Sequence, residues 1–488
     1  MPTSLAWQTP SQRSTVLTVQ TPSQQRYGLA VAVLSLAAFM ASLDVFIVNV
    51  AFDAIGRDFH GVSLSTLSWV LNAYAIVFAA LLVPAGRVAD RFGRKGGFLV
   101  GLGIFTLASA ACAASPGIWW LVAFRVVQAA GAALLTPASL GLVLAAAPPE
   151  HRARSVRLWA ATGALAAALG PAVGGLLVQA DWRWVFLVNV PVGIAAMIGA
   201  ARVVPRSRDE SVSRLPDVVG AVALVLGIGS LTLALVEGES WGWGAPRTDV
   251  AYGVAALGVA AFVVSSGRHP APLVESHLLR VRAFRWSNVT ALLFAVPFAA
   301  NLLANILWMQ QVWGYSAVRV GFAVAPGPLM VPLFAAVAHR LTRRVPVGLL
   351  VAWGCTLMAV GGLITASRVG PVPHYASEIL PGWLVGGAGV GFALPAILSS
   401  ATADLPPHRA ATGSAVVNMS RQLGTVLGVS VLVAVLGTPV GYAQAHTVFR
   451  HAWWTVAAVA LLAALAAPSM TPQAARPEPV PDPVAEPA

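Results

Sequence analysis

A single carboxylate, Asp44, lies deep within a long apolar run that begins near Gly28. A charge at bilayer depth costs roughly 2.5–3.5 kcal/mol even on the most permissive insertion scale, so an acid there usually faces a cavity or a charged partner. Burial favours the neutral form of a carboxyl group, whereas an approaching cation favours the ionised form. That competition suits a group that exchanges a proton for cargo. The other interpretation is that Asp44 lies near the outer membrane surface and is simply solvated or paired, and the sequence leaves both open.

Arg125 is a second charged residue inside an apolar segment, and Gln128 follows one helical turn later on the same face. The guanidinium group lies too deep to reach the lipid headgroups comfortably, so it needs a partner. Asp44 is the obvious candidate on a neighbouring segment. The sequence does not decide between a direct contact and one through a water molecule.

The composition is that of a polytopic membrane protein. Of the 488 residues, 57% are hydrophobic and 10% are charged, whereas about 25% of residues are charged in soluble domains. The net charge of +12 does not indicate nucleic-acid binding, because the arginines occur in short loops between apolar segments. Cys112 and Cys355 lie in separate apolar segments, and the sequence predicts no disulfide bond, no metal site and no cofactor.

Apolar windows long enough to cross a bilayer recur along the whole chain. The sequence predicts fourteen spans, at residues 28–50, 66–84, 97–114, 118–146, 156–180, 185–204, 218–236, 250–266, 287–312, 317–338, 345–366, 379–400, 412–436 and 453–467. Alternate loops carry most of the arginines, so the positive-inside rule predicts a multi-pass protein of the cell membrane with both termini cytoplasmic. We expect residues 1–27 to form a disordered leader and the proline-rich residues 468–488 a disordered tail, both cytoplasmic.

The fifth predicted span combines small residues with a proline. Gly163, Gly170, Gly174 and Gly175 fall at helical spacing along one face, and Pro171 can bend the helix. One interpretation is a tight packing groove and nothing more, since small-residue faces are common in membranes. The other is that a helix which packs closely and also bends allows two groups of helices to rock against each other.

The loop between the second and third predicted spans is short and strongly charged. Gly86 and Gly93 permit a tight turn with close backbone approach. Asp90 can pair with Arg94 one helical turn later, or it can face the end of a neighbouring helix. The positive-inside rule accounts for the arginines of this loop, among them Arg91, but it does not account for Asp90.

These stretches together resemble the major facilitator superfamily. Residues 86–95 match its G-x-x-x-D-R-x-G-R-K loop motif, residues 125–131 its fourth-helix R-x-x-Q motif, and residues 163–175 the fifth-helix G-P-x-x-G-G motif of its antiporters. The fourth-helix match departs by one position, because two alanines precede Gly131. The resemblance is closest to the fourteen-span drug/proton antiporters. Their further landmarks occur in order at residues 43–51, 69–74, 182–193, 217–220, 241–243, 310–315 and 420–424.

The resemblance implies an all-α integral membrane protein with the major facilitator fold. Two six-helix bundles, residues 28–204 and 287–467, would be joined by a linker, residues 205–286, that contributes two inserted transmembrane helices. In that family the bundles rock about a central cavity and give alternating access. By matching positions, Asp44 would couple to protons and Arg125 would support it.

The resemblance also assigns roles to the two glycine-containing motifs. Residues of the charged loop would act as a conformational latch, namely Gly86, Asp90, Arg91, Gly93 and Arg94. Gly170 and Pro171 would govern the bend of the fifth helix, within an antiporter motif made up of Gly163, Gly170, Pro171, Gly174 and Gly175.

Aromatic and amide side chains inside the spans are the candidate lining of a promiscuous cavity. They are Asn72, Tyr74, Gln128, Trp308, Gln310 and Asn418. For each of them the alternative is helix packing or a place in an interfacial aromatic belt. No second acid lies clearly at mid-membrane in the sequence, so we expect doubly charged cations to be poor cargo.

The sequence therefore predicts a proton-coupled antiporter that exports hydrophobic or cationic drugs, dyes or antibiotics. The alternative is a dedicated exporter of one endogenous metabolite or lipid with the same fold. A membrane enzyme or receptor is disfavoured, because no zinc-ligand spacing, phosphate-cradling loop or nucleophile with its base occurs. We expect the partners to be a small-molecule substrate, protons and the lipid bilayer, with no nucleic acid, and the chain to act as a monomer.

Overall fold

The structure, a computed structural model, describes residues 24–60, 62–208, 215–406 and 409–472. Within these ranges, fourteen helices are long and apolar enough to cross a membrane. We number them as spans 1 to 14: Tyr27–Asp58, Leu64–Phe92, Arg94–Ala113, Ile118–Ala146, Pro149–Ala180, Trp184–Val203, Val218–Trp241, Pro246–Arg268, Arg282–Val312, Ala317–Leu341, Val347–Arg368, Leu380–Ala403, Ala410–Leu436 and Gly441–Met470. The prediction of an all-α protein with fourteen spans is confirmed.

The ends of the chain differ in detail from the sequence-based boundaries. The helix of span 1 begins at Gln24, within the predicted leader, and a short 3-10 turn extends span 14 to Met470. Most of the predicted leader and tail lies outside the described residues. Span 14 starts at Gly441 and not at Trp453, because the intervening polar residues lower the mean hydropathy of the segment without interrupting its helix.

The two halves of the molecule repeat one packing pattern. In the first half, span 1 packs along span 5, span 2 along span 4, span 3 along span 4, and span 6 against spans 1 and 3. In the second half, the corresponding pairs are spans 9 and 13, 10 and 12, 11 and 12, and span 14 against spans 9 and 11. Two six-helix bundles result. The inserted spans 7 and 8 pack on each other, and span 7 also packs against spans 2 and 13.

On the side formed by spans 5 and 10, the halves touch at one end of the bundle. We call the end that carries the loops after spans 2, 4, 6, 8 and 10 the arginine-rich end, and the other the opposite end. Near the opposite end, spans 5 and 10 approach so closely that a Cβ atom on Gly175 would lie 2.5 Å from the carbonyl oxygen of Ala317. A Cβ atom on Gly321 would meet the carbonyl oxygen of Pro171. Only glycine permits backbones to meet at these distances.

Spans 5 and 10 diverge toward the arginine-rich end. Along span 5, the face that meets span 10 continues about two, three and four turns before Pro171 through Ala164, Ala161 and Arg157, and these residues are exposed. Along span 10, the matching face continues through Pro332 and His339, which are also exposed. The halves therefore enclose a cleft that is closed at the opposite end and open between spans 5 and 10 at the arginine-rich end.

On the other side of the cleft, spans 2 and 13 are joined near both ends. Near the opposite end, Asn72 Nδ2 donates to Ser430 Oγ at 3.4 Å. Near the arginine-rich end, Glu275 from the segment after span 8 accepts hydrogen bonds from Arg87 of span 2 and from Arg409 at the start of span 13. The buried carboxylate of Glu275 thus ties the two halves together through the inserted segment.

We expect Glu275→Gln to destabilise the protein. The substitution leaves Arg87 and Arg409 facing each other without the carboxylate that separates them, and a lost hydrogen bond to a charged group costs about 1.5–3 kcal/mol. The measurement is the thermal unfolding midpoint of the purified protein in detergent. Glu150→Gln is the matched control, since the Glu150 side chain is 68% exposed and its one ion pair in the described structure is with His151. An equal shift in both variants would contradict the bridging role.

Candidate functional site

Asp44 lies in span 1 with no solvent exposure, and its carboxylate accepts hydrogen bonds from three side chains. Arg125 Nη1 of span 4 donates to Oδ2 at 2.5 Å. Gln128 Nε2 of span 4 and Asn189 Nδ2 of span 6 donate to Oδ1 at 2.9 and 3.0 Å. Asp44 and Arg125 are therefore in direct contact, which the sequence left undecided.

Arg125 is held from four directions. Its Nη1 also donates to Gln128 Oε1 at 2.7 Å, and its Nε donates to the carbonyl oxygen of Val70 in span 2 at 3.2 Å. The guanidinium carbon lies 4.0 Å from the centre of the Tyr74 ring, a cation–π contact. Because Arg125 is 1% exposed, its charge is balanced by Asp44 and not by water.

Ser109 completes the polar cluster around Asp44. Gln128 Nε2 also donates to Ser109 Oγ of span 3 at 2.8 Å, and Asn189 Nδ2 lies 3.5 Å from the same oxygen. We call Asp44, Arg125, Gln128, Asn189 and Ser109 the Asp44 cluster. It draws on spans 1, 3, 4 and 6, so it joins four of the six helices of the first half.

The sequence reasoning did not identify Ser109 or Asn189 as site residues. Asn189 occurs within the conspicuous stretch 182–193, where it follows an apolar run at the start of span 6. A polar side chain at such a position is a signal that a partner is needed. Ser109 carries no comparable signal, because a serine in a membrane helix can satisfy itself by donating to its own backbone, as Ser109 Oγ does to Phe105 O.

The predicted latch residues lie together at the arginine-rich end. Arg94 Nε donates to Asp90 Oδ1 at 2.5 Å, an ion pair across the junction between spans 2 and 3. Gly93 sits at that junction with φ +119°, a backbone conformation that favours glycine. Gly86 packs against Pro137 of span 4, and the Arg91 guanidinium lies 5.3 Å from the centre of the Phe92 ring. The predicted loop is wrong in extent: Gly86, Asp90 and Arg91 lie in the last turns of the span 2 helix and Arg94 begins span 3, so Gly93 alone makes the turn.

The glycines of the predicted antiporter motif differ in their surroundings. Gly170 and Gly174 pack directly against Phe46 and Ile47 of span 1, which follow Asp44 by two and three residues. Gly175 faces span 10, as described above. Gly163 has open space where its side chain would be. The stretch from Gly170 to Gly175 is thus the part of the motif that packs span 5 against span 1 of its own half and against span 10 of the other half.

The predicted cavity residues do not form one lining. Tyr74 and Gln128 belong to the surroundings of Asp44, and Asn72 pairs with Ser430 between the halves. Gln310 lies in a π-helical turn at the end of span 9 and donates to the carbonyl oxygen of Val50 in span 1 at 3.0 Å. Trp308 is fully buried against Phe449 and Trp453 of span 14. Asn418 is partly exposed, on the polar face of span 13.

In this conformation, Trp308 therefore packs inside the second half and does not face the cleft. Three of its ring neighbours, Tyr442, His446 and Phe449, come from the part of span 14 before Trp453, which the hydropathy of the sequence assigns to a loop. Gln310 is a contact between the halves at the closed end. Of the residues proposed for the cavity, Asn418 is the one whose side chain is only partly buried.

Comparison with known proteins places the geometry in context. The sequence profile described as "Major Facilitator Superfamily" matches residues 34–429. A methylenomycin A resistance protein of Bacillus subtilis (strain 168) is 33% identical over 82% of this chain and 85% of the relative. The multidrug resistance protein Stp of Mycobacterium tuberculosis is 33% identical over 82% of this chain and 74% of its own. A tetracenomycin C resistance and export protein of Streptomyces glaucescens is 32% identical over 85% of this chain and 76% of the relative.

A solved structure shares the fold at low sequence identity. The crystal structure of a D-xylose–proton symporter matches 90% of this chain and 96% of its own, with a TM-score of 0.65 and 14% identity. At that identity, the likeness concerns the arrangement of helices alone.

Proposed function

The chain belongs to the major facilitator superfamily, and from that premise we propose that it is a proton-coupled antiporter that exports hydrophobic drugs, dyes or antibiotics by alternating access. The relatives named for resistance to methylenomycin A and for export of tetracenomycin C support a drug efflux transporter. Proton coupling is supported by this chain's own residues. We further propose that the protein acts as a monomer, with the arginine-rich end and both termini in the cytoplasm.

The observation that carries the proposal is the burial of Asp44 within a polar cluster drawn from four spans, two of which supply its hydrogen-bond donors. A carboxylate at zero exposure within a membrane helix is expensive unless it is paired. A buried ion pair is weak evidence for stability, because an apolar pair often serves as well. The cluster is therefore best explained by a change of charge during the transport cycle.

The Asp44 cluster offers partners for both protonation states. The ionised carboxylate is matched by the three N–H donors described above. A protonated carboxyl group is itself a donor and needs an acceptor. Asn189 Oδ1 is buried with no hydrogen-bond partner, so a half-turn of the Asn189 amide would offer an acceptor in place of its N–H. Arg125 would then lose its counter-ion, which provides a force for rearranging span 4 against span 1.

The cleft between the two halves of the molecule supports alternating access. It is closed near Gly175 and open at the arginine-rich end, which is the arrangement expected of an exporter ready to receive cargo from the cytoplasm. In this scheme, the ion pair between Asp90 and Arg94 keeps the end of span 2 in the conformation needed when the cleft closes at the arginine-rich end. The bend at Gly170 and Pro171 lets span 5 move together with span 1.

The test is proton-driven transport in proteoliposomes. The purified protein is reconstituted with a pH-sensitive dye in the lumen, and a pH gradient is imposed. We expect protons that move down the imposed pH gradient to drive cargo in the opposite direction, and the lumenal dye to report the proton movement. Cargo transport should stop when an ionophore removes the pH gradient. Transport that continues unchanged without any proton gradient would contradict the antiporter.

The breadth of cargo is a separate question, for which a narrow exporter remains the second candidate. Two of the relatives are named for one antibiotic each, and a third is named as a multidrug resistance protein. A panel that contains methylenomycin A, tetracenomycin C and several unrelated dyes distinguishes them. A multidrug exporter is expected to move several members, whereas a dedicated exporter is expected to move one or none.

We expect doubly charged cations to be poor cargo. Asp44 is neutralised by Arg125, so it offers no free negative charge to a dication, and a second charge in a low-dielectric cleft is costly to desolvate. The measurement compares efflux of a monovalent dye and a divalent dye from cells that express the protein, with vector-only cells as the control. Divalent export as fast as monovalent export would contradict this expectation.

A further inference from the structure

Arg421 is a charged residue in the middle of span 13. It lies eleven residues past the start of that helix at Ala410, which corresponds to about 16 Å of helical rise. A guanidinium group at that depth is costly and needs either a partner or a polar cavity. The Asp44 cluster does not contain it, and the proposed proton step does not use it.

Arg421 has little to satisfy it within the protein. Its Nη2 donates to Asn418 Oδ1 at 3.4 Å, near the limit for a hydrogen bond. Its Nε is buried and has no hydrogen-bond partner. No carboxylate among the described residues forms an ion pair with it, whereas Arg125 is paired with Asp44 at 2.5 Å. The two arginines therefore differ in kind: one is neutralised and one is not.

The faces of span 13 show where Arg421 points. One face carries Gly424 and Gly428 against the backbone of span 9. Another carries Met419 and Leu423, which pack into the apolar cluster shared with spans 2 and 7. The remaining polar stripe has a spacing of four, three and four residues and is partly exposed at every position, namely at Ser414, Asn418, Arg421 and Thr425.

A polar stripe of this kind faces water and not lipid. The partly exposed apolar residues Leu427 and Val431 lie on a different side of span 13, which suits contact with lipid tails. The stripe from Ser414 to Thr425 therefore faces the cleft between the halves. Across the same cleft, Arg157 is exposed on the face of span 5 that leads toward the arginine-rich end. The cleft carries positive charge at two depths.

We propose that Arg421 binds an anionic group of the cargo, so that the preferred substrates are amphipathic organic acids, with a carboxylate, phenolate or enolate that pairs with the guanidinium. This inference rests on the proposed export function and narrows it. It also departs from the sequence-based expectation that cations are among the cargo, because a cation would meet an unneutralised positive charge in the cleft. Arg157 would attract the acid at the mouth, and Asn418 would hold Arg421 in place.

The test is equilibrium binding of three matched probes to the purified full-length protein, with no proton gradient. The probes are 1-pyrenebutyric acid, 1-pyrenebutanol and 1-pyrenebutylamine, which share one apolar body and differ in charge. We expect wild-type protein to bind the acid more tightly than the alcohol, and the alcohol more tightly than the amine. Arg421→Gln should weaken binding of the acid about tenfold to a hundredfold, as expected for a charge-assisted hydrogen bond, and leave binding of the alcohol unchanged.

Two further variants keep the result specific. Arg421→Lys retains the charge and should keep a preference for the acid, although the lysine cannot form the paired contacts of a guanidinium group. Arg285→Gln removes a positive charge at the exposed start of span 9 and should change none of the three affinities. Unchanged binding of the alcohol shows that Arg421→Gln folds.

The outcomes separate this inference from the proposed function. Equal binding of acid and amine to the wild type, or an acid affinity unaffected by Arg421→Gln, overturns the role of Arg421 and leaves proton-driven export intact. Absence of binding by all three probes overturns the export of hydrophobic compounds, and the inference falls with it. A loss of acid binding confined to Arg421→Gln supports the inference whether or not transport proves to be proton-driven.

Discussion

Asp44→Asn is expected to abolish proton-driven export while the protein still binds cargo. The substitution keeps the size of the side chain, but it replaces one acceptor oxygen by an NH2 donor and removes the group that can gain and lose a proton. In proteoliposomes with an imposed pH gradient, we expect cargo efflux by the variant to fall to the rate of protein-free liposomes. Cargo binding without a gradient should change by much less.

The substitution also removes the counter-ion of a buried arginine. Breaking a buried ion pair by removing one partner costs about 3–5 kcal/mol, so a loss of function could reflect unfolding. The double variant Asp44→Asn with Arg125→Gln removes both charges and should regain thermal stability without regaining transport. Asp217→Asn is the matched control, because Asp217 is a fully buried aspartate at the N-cap of span 7, where asparagine caps equally well.

Either of two results would contradict the role assigned to Asp44. If Asp44→Asn pumps as fast as the wild type, the carboxylate is structural and proton coupling lies elsewhere. If the double variant recovers both stability and gradient-driven transport, the ion pair is a packing device. Loss of transport in Asp217→Asn to the same extent would show that the assay reports general damage.

Gly175→Ala is expected to slow export at least about tenfold. The added methyl group would lie 2.5 Å from the carbonyl oxygen of Ala317, so spans 5 and 10 must separate where they now touch. Overpacking of this kind costs about 1–3 kcal/mol, and here the cost falls on the state that is closed at the opposite end. The expected consequence is a population shift toward the state that is open there.

The shift can be measured directly. Val318, which lies against Gly175, is replaced by cysteine, and labelling by a membrane-impermeant maleimide is followed from the opposite side. The native cysteines, Cys112 and Cys355, are both buried. Labelling should be faster in Gly175→Ala than in the parent protein. Gly163→Ala is the matched control in the same helix, since nothing lies within 4 Å of its added methyl group, and it should leave both labelling and export unchanged. Equal effects from the two substitutions would mean that span 5 merely tolerates few changes.

The fold was largely predictable because apolar segments of membrane length are a property of the sequence alone. Each of the fourteen predicted spans coincides with one helix, although spans 1, 2 and 5 extend seven or eight residues beyond the predicted bounds at one end. Span 14 was predicted too short, because Gln444, His446 and Arg450 lower the local hydropathy although the helix runs through them. An average over residue types does not reveal that His446 lies near the buried Trp308 ring.

The site was predictable in part, for a similar reason. Asp44 and Arg125 stand out because a charge within an apolar run requires a charged or polar partner, whatever the surrounding fold. In the sequence, Asn189 and Ser109 resemble other polar residues in membrane helices. Only the packing of spans 3 and 6 brings them into the Asp44 cluster. Glu275 looked like a loop residue in sequence, because its two arginine partners lie more than a hundred residues away along the chain.

The two sides of the cleft are not equivalent. Spans 2 and 13 are joined near both ends, by Asn72 with Ser430 and by Glu275 with its two arginines, and the inserted span 7 lies along them. Spans 5 and 10 are joined near one end only. Spans 2 and 13 thus form a fixed edge about which the halves can rotate, and spans 5 and 10 form the free edge on the other side. Any opening must be wider at the free edge, so a bulky molecule dissolved in the membrane would find its way in sideways, between spans 5 and 10, before it reaches the centre.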